Sequence, residues 1–192
     1  YVVSHWAFGP SPMLAHISER AHQEIMADMM AGRTSMCFGM SEPGAGSDAT
    51  QMKTRATAVD GGWRINGRKI WTTNFHLADY VILFAVTDPE KRGGITAFLI
   101  PTATAGVQMQ NIIRMHGHIG GAESESVYDD VYVEPWQVVG GLHEGFKVGL
   151  FGVSMGRIYN SARAVGLARW ALEKAIGYAS QREAFGHPIA DY

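Results

Sequence analysis

The sequence has 192 residues, 46% hydrophobic and 18% charged, with a formal net charge of -2. That composition suits one substantial core or two modest ones and excludes disordered and fibrous classes. The near balance of charge supplies no basic field for nucleic acid or an anionic membrane, so any phosphate has to be held locally.

The single cysteine, Cys37, cannot form an internal disulfide, and no secretory signal pattern opens the sequence; a reducing interior is the expectation. No apolar run reaches the roughly 20 residues that a membrane span needs, and no fixed-period repeat is present. The chain starts on "YVVSHWAFGP" without an initiator methionine and stops on "HPIADY". Both ends are expected to be cuts in a longer protein.

From Ser11 to Gly32, apolar residues recur at three and four positions through Leu14, Ile17, Ala21, Ile25, Met29 and Met30. The spacing predicts an amphipathic helix with Ser18 as a cap and Gly32 as the stop. The Met-rich face "EIMADMM" reads as core filling, with an acyl pocket as the alternative. The period then shortens. "TSMCFGM", "KTRATAV", "WRINGRKIWTT", "DYVILFAV", "ITAFLI", "VQMQNII" and "SVYDDVYV" are β-rich runs divided by "DGG", "NG", "DPEKRGG" and "PTATAG". They predict an antiparallel, barrel-like β domain, with strands such as "DYVILFAV" covered on both faces. From Glu144 to Arg182 helical spacing returns through Phe146, Leu150, Val153, Ile158, Val165, Leu172 and Ile176, predicting one long helix. The fold class is therefore α+β. Residues 1–33 form the end of a helical domain, 34–141 a middle β domain, and 142–192 the opening helix of a further helical domain.

The loop "MSEPGAGSDA", Met40 to Ala49, joins glycines at 44 and 46, which permit positive φ and close backbone approach, to Pro43 and to the hydroxyls of Ser41 and Ser47. Such a turn can cradle a pyrophosphate or merely connect strands. It is neither a P-loop nor GxGxxG. "NGRKIWTTN" closes a hairpin strand with an indole and two adjacent hydroxyls, a combination that either packs a core or stacks on a planar cofactor. Glu42 and Asp48 are read as caps of turn N–H groups or partners of Lys or Arg. His116, His118 and Glu123 lack the spacing of a recognisable metal site and are read as loop residues. Cys37, inside an apolar strand, is read as a buried inert thiol.

Taken together, "SEPGAGSDA", "DGGWRINGRKIWTTN", "ITAFLIP", "DDVYVEP", "GFKVGLFGVSMGRI" and "SQREAFGHPIADY" closely resemble the acyl-CoA dehydrogenase family over nearly the whole chain. The resemblance implies FAD held between a middle β domain and a C-terminal helical domain. It places Phe38, Met40 and Ser41 at the flavin, Gly46 and Ser47 near the phosphate, and Ser47 also at the acyl-CoA. It identifies Trp71, Thr72 and Thr73 as a second flavin segment, with Thr73 at the reactive ring edge. Ser154, Met155, Gly156 and Arg157 fall where relatives contact acyl-CoA. Arg182, Phe185 and Tyr192 belong to a segment that reaches a partner subunit's FAD. Ala184 stands where some members carry a hydroxyl.

Members of the family desaturate an acyl-CoA, using a carboxylate base, and pass electrons to an electron-transfer flavoprotein. A minority place that base at the position occupied here by Gly156. Glu144 and Glu173 lie about three turns before and four turns after it, on what reads as a solvated helix face. No catalytic residue is therefore assigned within the chain, and the base is expected beyond residue 192. The resemblance further implies a homodimer or homotetramer, in bacterial cytoplasm or the mitochondrial matrix. The alternatives are a non-catalytic flavin- or acyl-CoA-binding or interaction subunit, or an oxygen-using flavoenzyme on the same fold.

Overall fold

Ser18 fixes where the first helix begins. The computed structural model describes residues 11–91, 93–117 and 122–192. Within it a short 3-10 turn, Ser11–His16, precedes helix α1, Glu19–Met30. The Ser18 backbone is extended, with φ -66 and ψ 158, and its Oγ accepts the Ala21 N–H at 3.1 Å. The same hydroxyl donates to the Trp136 carbonyl at 2.6 Å, so the cap also ties α1 to a distant segment. The single helix expected over residues 11–32 is thus split, because the extended Ser18 interrupts it. Gly32, with φ +70, ends α1 as expected. The buried face is Ala21, Ile25 and Met29, whereas Met30 is exposed. The residues before Ser11 lie outside the described part of the expected first unit.

The seven β-rich runs become β1 (Met36–Gly39), β2 (Arg55–Val59), β3 (Gly62–Thr73), β4 (Tyr80–Val86), β5 (Ile95–Pro101), β6 (Val107–Ile113) and β7 (Glu123–Val133). A short β8, Val138–Val139, joins them. Their order is β6-β7-β3-β2-β4-β5-β8, with β1 also paired to β4. Two features depart from the antiparallel, barrel-like expectation. First, β1 runs parallel to β4, from Met36 beside Tyr80 to Gly39 beside Leu83, and β2 also meets β4 in parallel, Arg55 beside Val86. The long excursion through β2 and β3 lets the chain return in the same direction. Second, the sheet is open, with β6 and β8 at its two ends.

Folding over, rather than edge closure, encloses the core. The β3–β7 pair shifts register between Ile65 and Gly67, where β7 carries the extra residue, and between Lys69 and Thr72, where β3 does, and such bulges bend a strand. Trp63 of β3 comes to 5.6 Å from Phe98 of β5, ring centre to ring centre. Leu83, Phe98, Ile65, Tyr128 and Val131 share this inner core. The opposite face of β4 and β5, with Ile82, Phe84, Ala97 and Leu99, packs with Ile25, Met29 and Val148. These central strands are therefore covered on both faces, as their continuous apolar runs predict.

Helix α2, Gly145–Ala179, has 35 residues and so extends about 52 Å. Its buried positions are Gly145, Val148, Gly149, Gly152 and Gly156, all in its first third. After it, β9 (Glu183–Ala184) and β10 (His187–Pro188) form a hairpin around Phe185 and Gly186, whose φ values are +54 and +87. Among the described residues no helix is long and apolar enough to cross a membrane, and no group of three or more His, Cys, Asp or Glu gathers as a metal site. His118 lies outside the described residues.

Candidate functional site

The loop after β1 turns tightly around Pro43 and Gly44. The Glu42 N–H donates to the Ala45 carbonyl at 2.9 Å, and the Ala45 N–H returns a bond to Glu42 at 3.1 Å. Neither Gly44 nor Gly46 lies in the left-handed region, so the positive φ expected of them is not what these positions use. A Cβ added at either would meet nothing within 4 Å. Gly46 and Ser47 are exposed and Ser41 is half-buried. The Asp48 side chain accepts the Thr50 N–H at 3.2 Å and so caps a turn, as expected.

Glu42 points inward and is 8% exposed. Its carboxylate accepts the N–H groups of Lys53 and Thr54, at 2.6 and 3.0 Å, and the Thr54 hydroxyl at 2.6 Å. Lys69 Nζ completes the set at 2.8 Å and also donates to the Met40 carbonyl at 3.1 Å. Lys69 is fully buried. Burial alone would push the Glu42 carboxyl up, but the Lys69 ammonium, the Thr54 hydroxyl and the Lys53 N–H outweigh it and hold the group below its ordinary value. Burial lowers Lys69 to about 8, against the pull of Glu42 toward the charged form. Burial raises the Cys37 thiol far above its usual range, in keeping with an inert core cysteine.

The sequence left the partner of Glu42 unspecified. The signal for Lys69 was period-two alternation: Ile65, Gly67 and Lys69 point to one face of β3, and that face is the core.

The ion pair fastens the loop to β3, and the Ile70 N–H adds a bond to the Ser41 carbonyl at 2.9 Å. The two segments singled out in the sequence, 40–47 and 71–73, are thus neighbours. Phe38 and Met40 pack their side chains against the core shared with α1 and α2. Past Lys69 the strand bulges. Trp71 takes φ +61 with its side chain 52% exposed. A bulky residue in this region costs on the order of 1–3 kcal/mol, strain of the kind that clusters at functional sites. Thr72 is buried beside Ser124, and Thr73 is exposed beside Glu123, to which its hydroxyl donates at 2.8 Å. Three polar atoms of this corner, Thr72 Oγ1, Asn74 Oδ1 and Ser124 Oγ, are buried without a hydrogen-bond partner.

The other expected site residues lie on α2 and beyond it. A Cβ on Gly149 would come within 2.4 Å of Met40 Cε, so the start of α2 abuts the loop. Ser154, Met155 and Arg157 are exposed and Gly156 is buried, roughly one to two turns further along. Arg182, Phe185 and Tyr192 are not brought to this corner. They follow the end of α2, about 45 Å along the helix from Gly149. There Phe185, 95% exposed, meets Tyr192 edge-on at 6.4 Å, and the Tyr192 hydroxyl donates to the Ala184 carbonyl at 2.8 Å. A separate cleft of about 390 Å³, between residues 50–55 and the β4–β5 connection, is lined by Lys53, Arg55, Asp88 and Lys91 and by none of the residues expected at the flavin.

The middle-domain model of acyl-CoA dehydrogenases matches residues 37–131, and their C-terminal-domain model matches residues 143–192. An acyl-CoA dehydrogenase of Bacillus subtilis is 35% identical over 187 residues, 97% of this chain and 49% of that protein. The CarC subunit of a caffeyl-CoA reductase-Etf complex from Acetobacterium woodii is 33% identical over 193 residues, 100% of this chain and 51% of that protein. The crystal structure of a glutaryl-CoA dehydrogenase from Mycobacterium smegmatis in complex with FADH2 superposes with a TM-score of 0.84 at 34% identity, covering 94% of this chain and 46% of that one. The chain spans about half the length of the curated relatives it matches.

Proposed function

The chain belongs to the acyl-CoA dehydrogenase family, and from that premise we propose that it is part of an FAD-dependent oxidoreductase that desaturates an acyl-CoA thioester between its α and β carbons. The observation that carries the cofactor reading is Trp71, a strained, exposed indole on a bulge held beside the glycine loop by the Ser41–Ile70 bond. The residues present fit a flavin. The indole offers a stacking face, Thr73 a hydroxyl, and Gly44 and Gly46 the open space that no neighbour of this chain fills. The unpartnered Thr72, Asn74 and Ser124 atoms support a polar group or water completing the same corner.

In this reading Phe38, Met40, Ser41, Gly46, Ser47 and residues 71–73 hold the cofactor, whose bound ring supplies the hydride acceptor. Ser47 and residues 154–157 face the thioester. Arg182, Phe185 and Tyr192 serve the FAD of a second subunit, since α2 carries them about 45 Å from their own loop. The protein is then a homodimer or homotetramer, with an electron-transfer flavoprotein as its acceptor, working in bacterial cytoplasm or the mitochondrial matrix. Residues 1–33, 34–141 and 142–192 belong to its three successive domains.

The catalytic base lies beyond Tyr192. Glu42 cannot serve, because its carboxylate is spent on Lys69, Lys53 and Thr54. The absence of a free acid at Gly156 also favours a second reading, a flavin- or acyl-CoA-binding subunit without catalysis. The two are separated by preparing the chain extended through the downstream helices and assaying FAD retention and dye reduction with acyl-CoAs of several lengths. Retained flavin with turnover is expected, and W71A should weaken FAD binding roughly threefold to tenfold. Retained flavin without turnover on any thioester favours the binding subunit, and no retained flavin refutes both.

A further inference from the structure

Strand β3 ends by setting Thr73 opposite Glu123, the first residue of β7. Glu123 is fixed from both sides. It pairs in register with Thr73 and with Ile113 of β6, and the Asn74 N–H donates to the carbonyl of the preceding Ala122 at 2.8 Å. Thr73 Oγ1 lies 2.8 Å from Glu123 Oε2. A carboxylate only accepts, so the single proton of the Thr73 hydroxyl is committed to Glu123. What Thr73 has left to offer is a lone pair.

We propose that Glu123 is a positioning residue that fixes the Thr73 hydroxyl as an acceptor toward the flavin and so helps to set the reduction potential of the bound cofactor. This rests on the reading of Thr73 as the contact to the reactive ring edge. Oriented in this way, Thr73 gives a partner to an N–H at that edge and none to a bare nitrogen. The reduced ring carries that N–H and the oxidised ring does not, so the hydroxyl orientation favours reduction. The Glu123 charge acts in the opposite sense through space, because it disfavours added negative charge on the ring. Only the first effect passes through Thr73, and the two can therefore be separated.

The experiment is a double-mutant cycle of midpoint potentials on the FAD-loaded full-length protein: wild type, E123A, T73V and the pair. Thr73 is exposed and Glu123 half-buried, so neither change opens a cavity in the core. With Thr73 in place, E123A frees the hydroxyl to donate to the bare nitrogen, so the part of its shift that passes through Thr73 should lie toward the oxidised form, against the opposite shift from the lost charge. The expected difference from the same change in the T73V background is roughly threefold to tenfold, where tenfold is about 30 mV for a two-electron couple. E123Q keeps an acceptor oxygen at the same reach and should retain this Thr73-dependent part. An E123A shift of equal size and sign in both backgrounds would overturn the proposal, leaving charge as the whole effect. If T73V changes neither the potential nor the visible flavin spectrum, Thr73 is not at the ring, and the underlying cofactor reading fails first.

Discussion

Lys69 carries an ammonium group into a space with no solvent exposure, where its stability depends on one carboxylate and one carbonyl. Removing one partner of such a pair strands the other, so K69M is expected to destabilise the protein by about 3–5 kcal/mol in chemical denaturation. The E42Q/K69M double change removes both charges and should recover most of that loss. The pH dependence follows from Glu42. Its folded pKa is below the ordinary 4.5, so its contribution is complete above that value and is lost as pH falls through the lower one. The stability gap between wild type and E42Q, measured by denaturation at neutral pH and again near pH 3, should therefore shrink in acid. At this scale the sequence was informative where chemistry is local. Glu42 and Asp48 were legible as caps and ion-pair partners because a turn full of N–H groups needs acceptors. Lys69 as the partner was not, because which inward lysine meets which inward carboxylate is decided by how β1 and β3 cross.

Helix α2 meets the sheet through four buried glycines together with Val148. A Cβ on Gly145 would sit 2.5 Å from both the Ala97 nitrogen and the Thr96 carbonyl carbon, backbone atoms that cannot step aside. G145A should therefore cost about 2 kcal/mol by lifting the helix from β5. G166A is the control, because a Cβ there meets nothing within 4 Å, and this change should raise the helical signal in circular dichroism of the chain. All seven β-rich runs were legible from their composition between turns, and both helices from their apolar spacing, although the helix expected over residues 11–32 is split at Ser18. The open sheet and the parallel β1–β4 pair were not. Closure and strand direction depend on the bulges of the β3–β7 pair and on the length of the excursion between β1 and β4, neither of which leaves a period in the sequence. The glycine face of α2 escaped for a related reason, because a search for apolar periodicity passes over the residue type that permits the closest approach.

Beyond Gly156, α2 leaves the β domain with Ile158, Val165, Leu167, Trp170, Leu172 and Ile176 all more than half exposed. A single helix of this length gains little stability from its own hydrogen bonds, and an apolar surface of this extent seeks cover. The same geometry carries Arg182 and Phe185 far from Trp71, so one chain does not assemble all the expected cofactor contacts on itself. The isolated 192 residues are accordingly expected to self-associate, to retain little or no FAD, and to leave acyl-CoA unchanged. Light scattering over a range of concentrations, the visible absorbance of the purified chain, and dye reduction with several acyl-CoAs measure these three properties. Each is to be compared with the version extended through the downstream helices. A monodisperse monomer would show that the exposed helix face needs no partner. Turnover by the chain alone would place the base within it, and with Glu42 held by Lys69 the search would pass to Asp48 and Glu144.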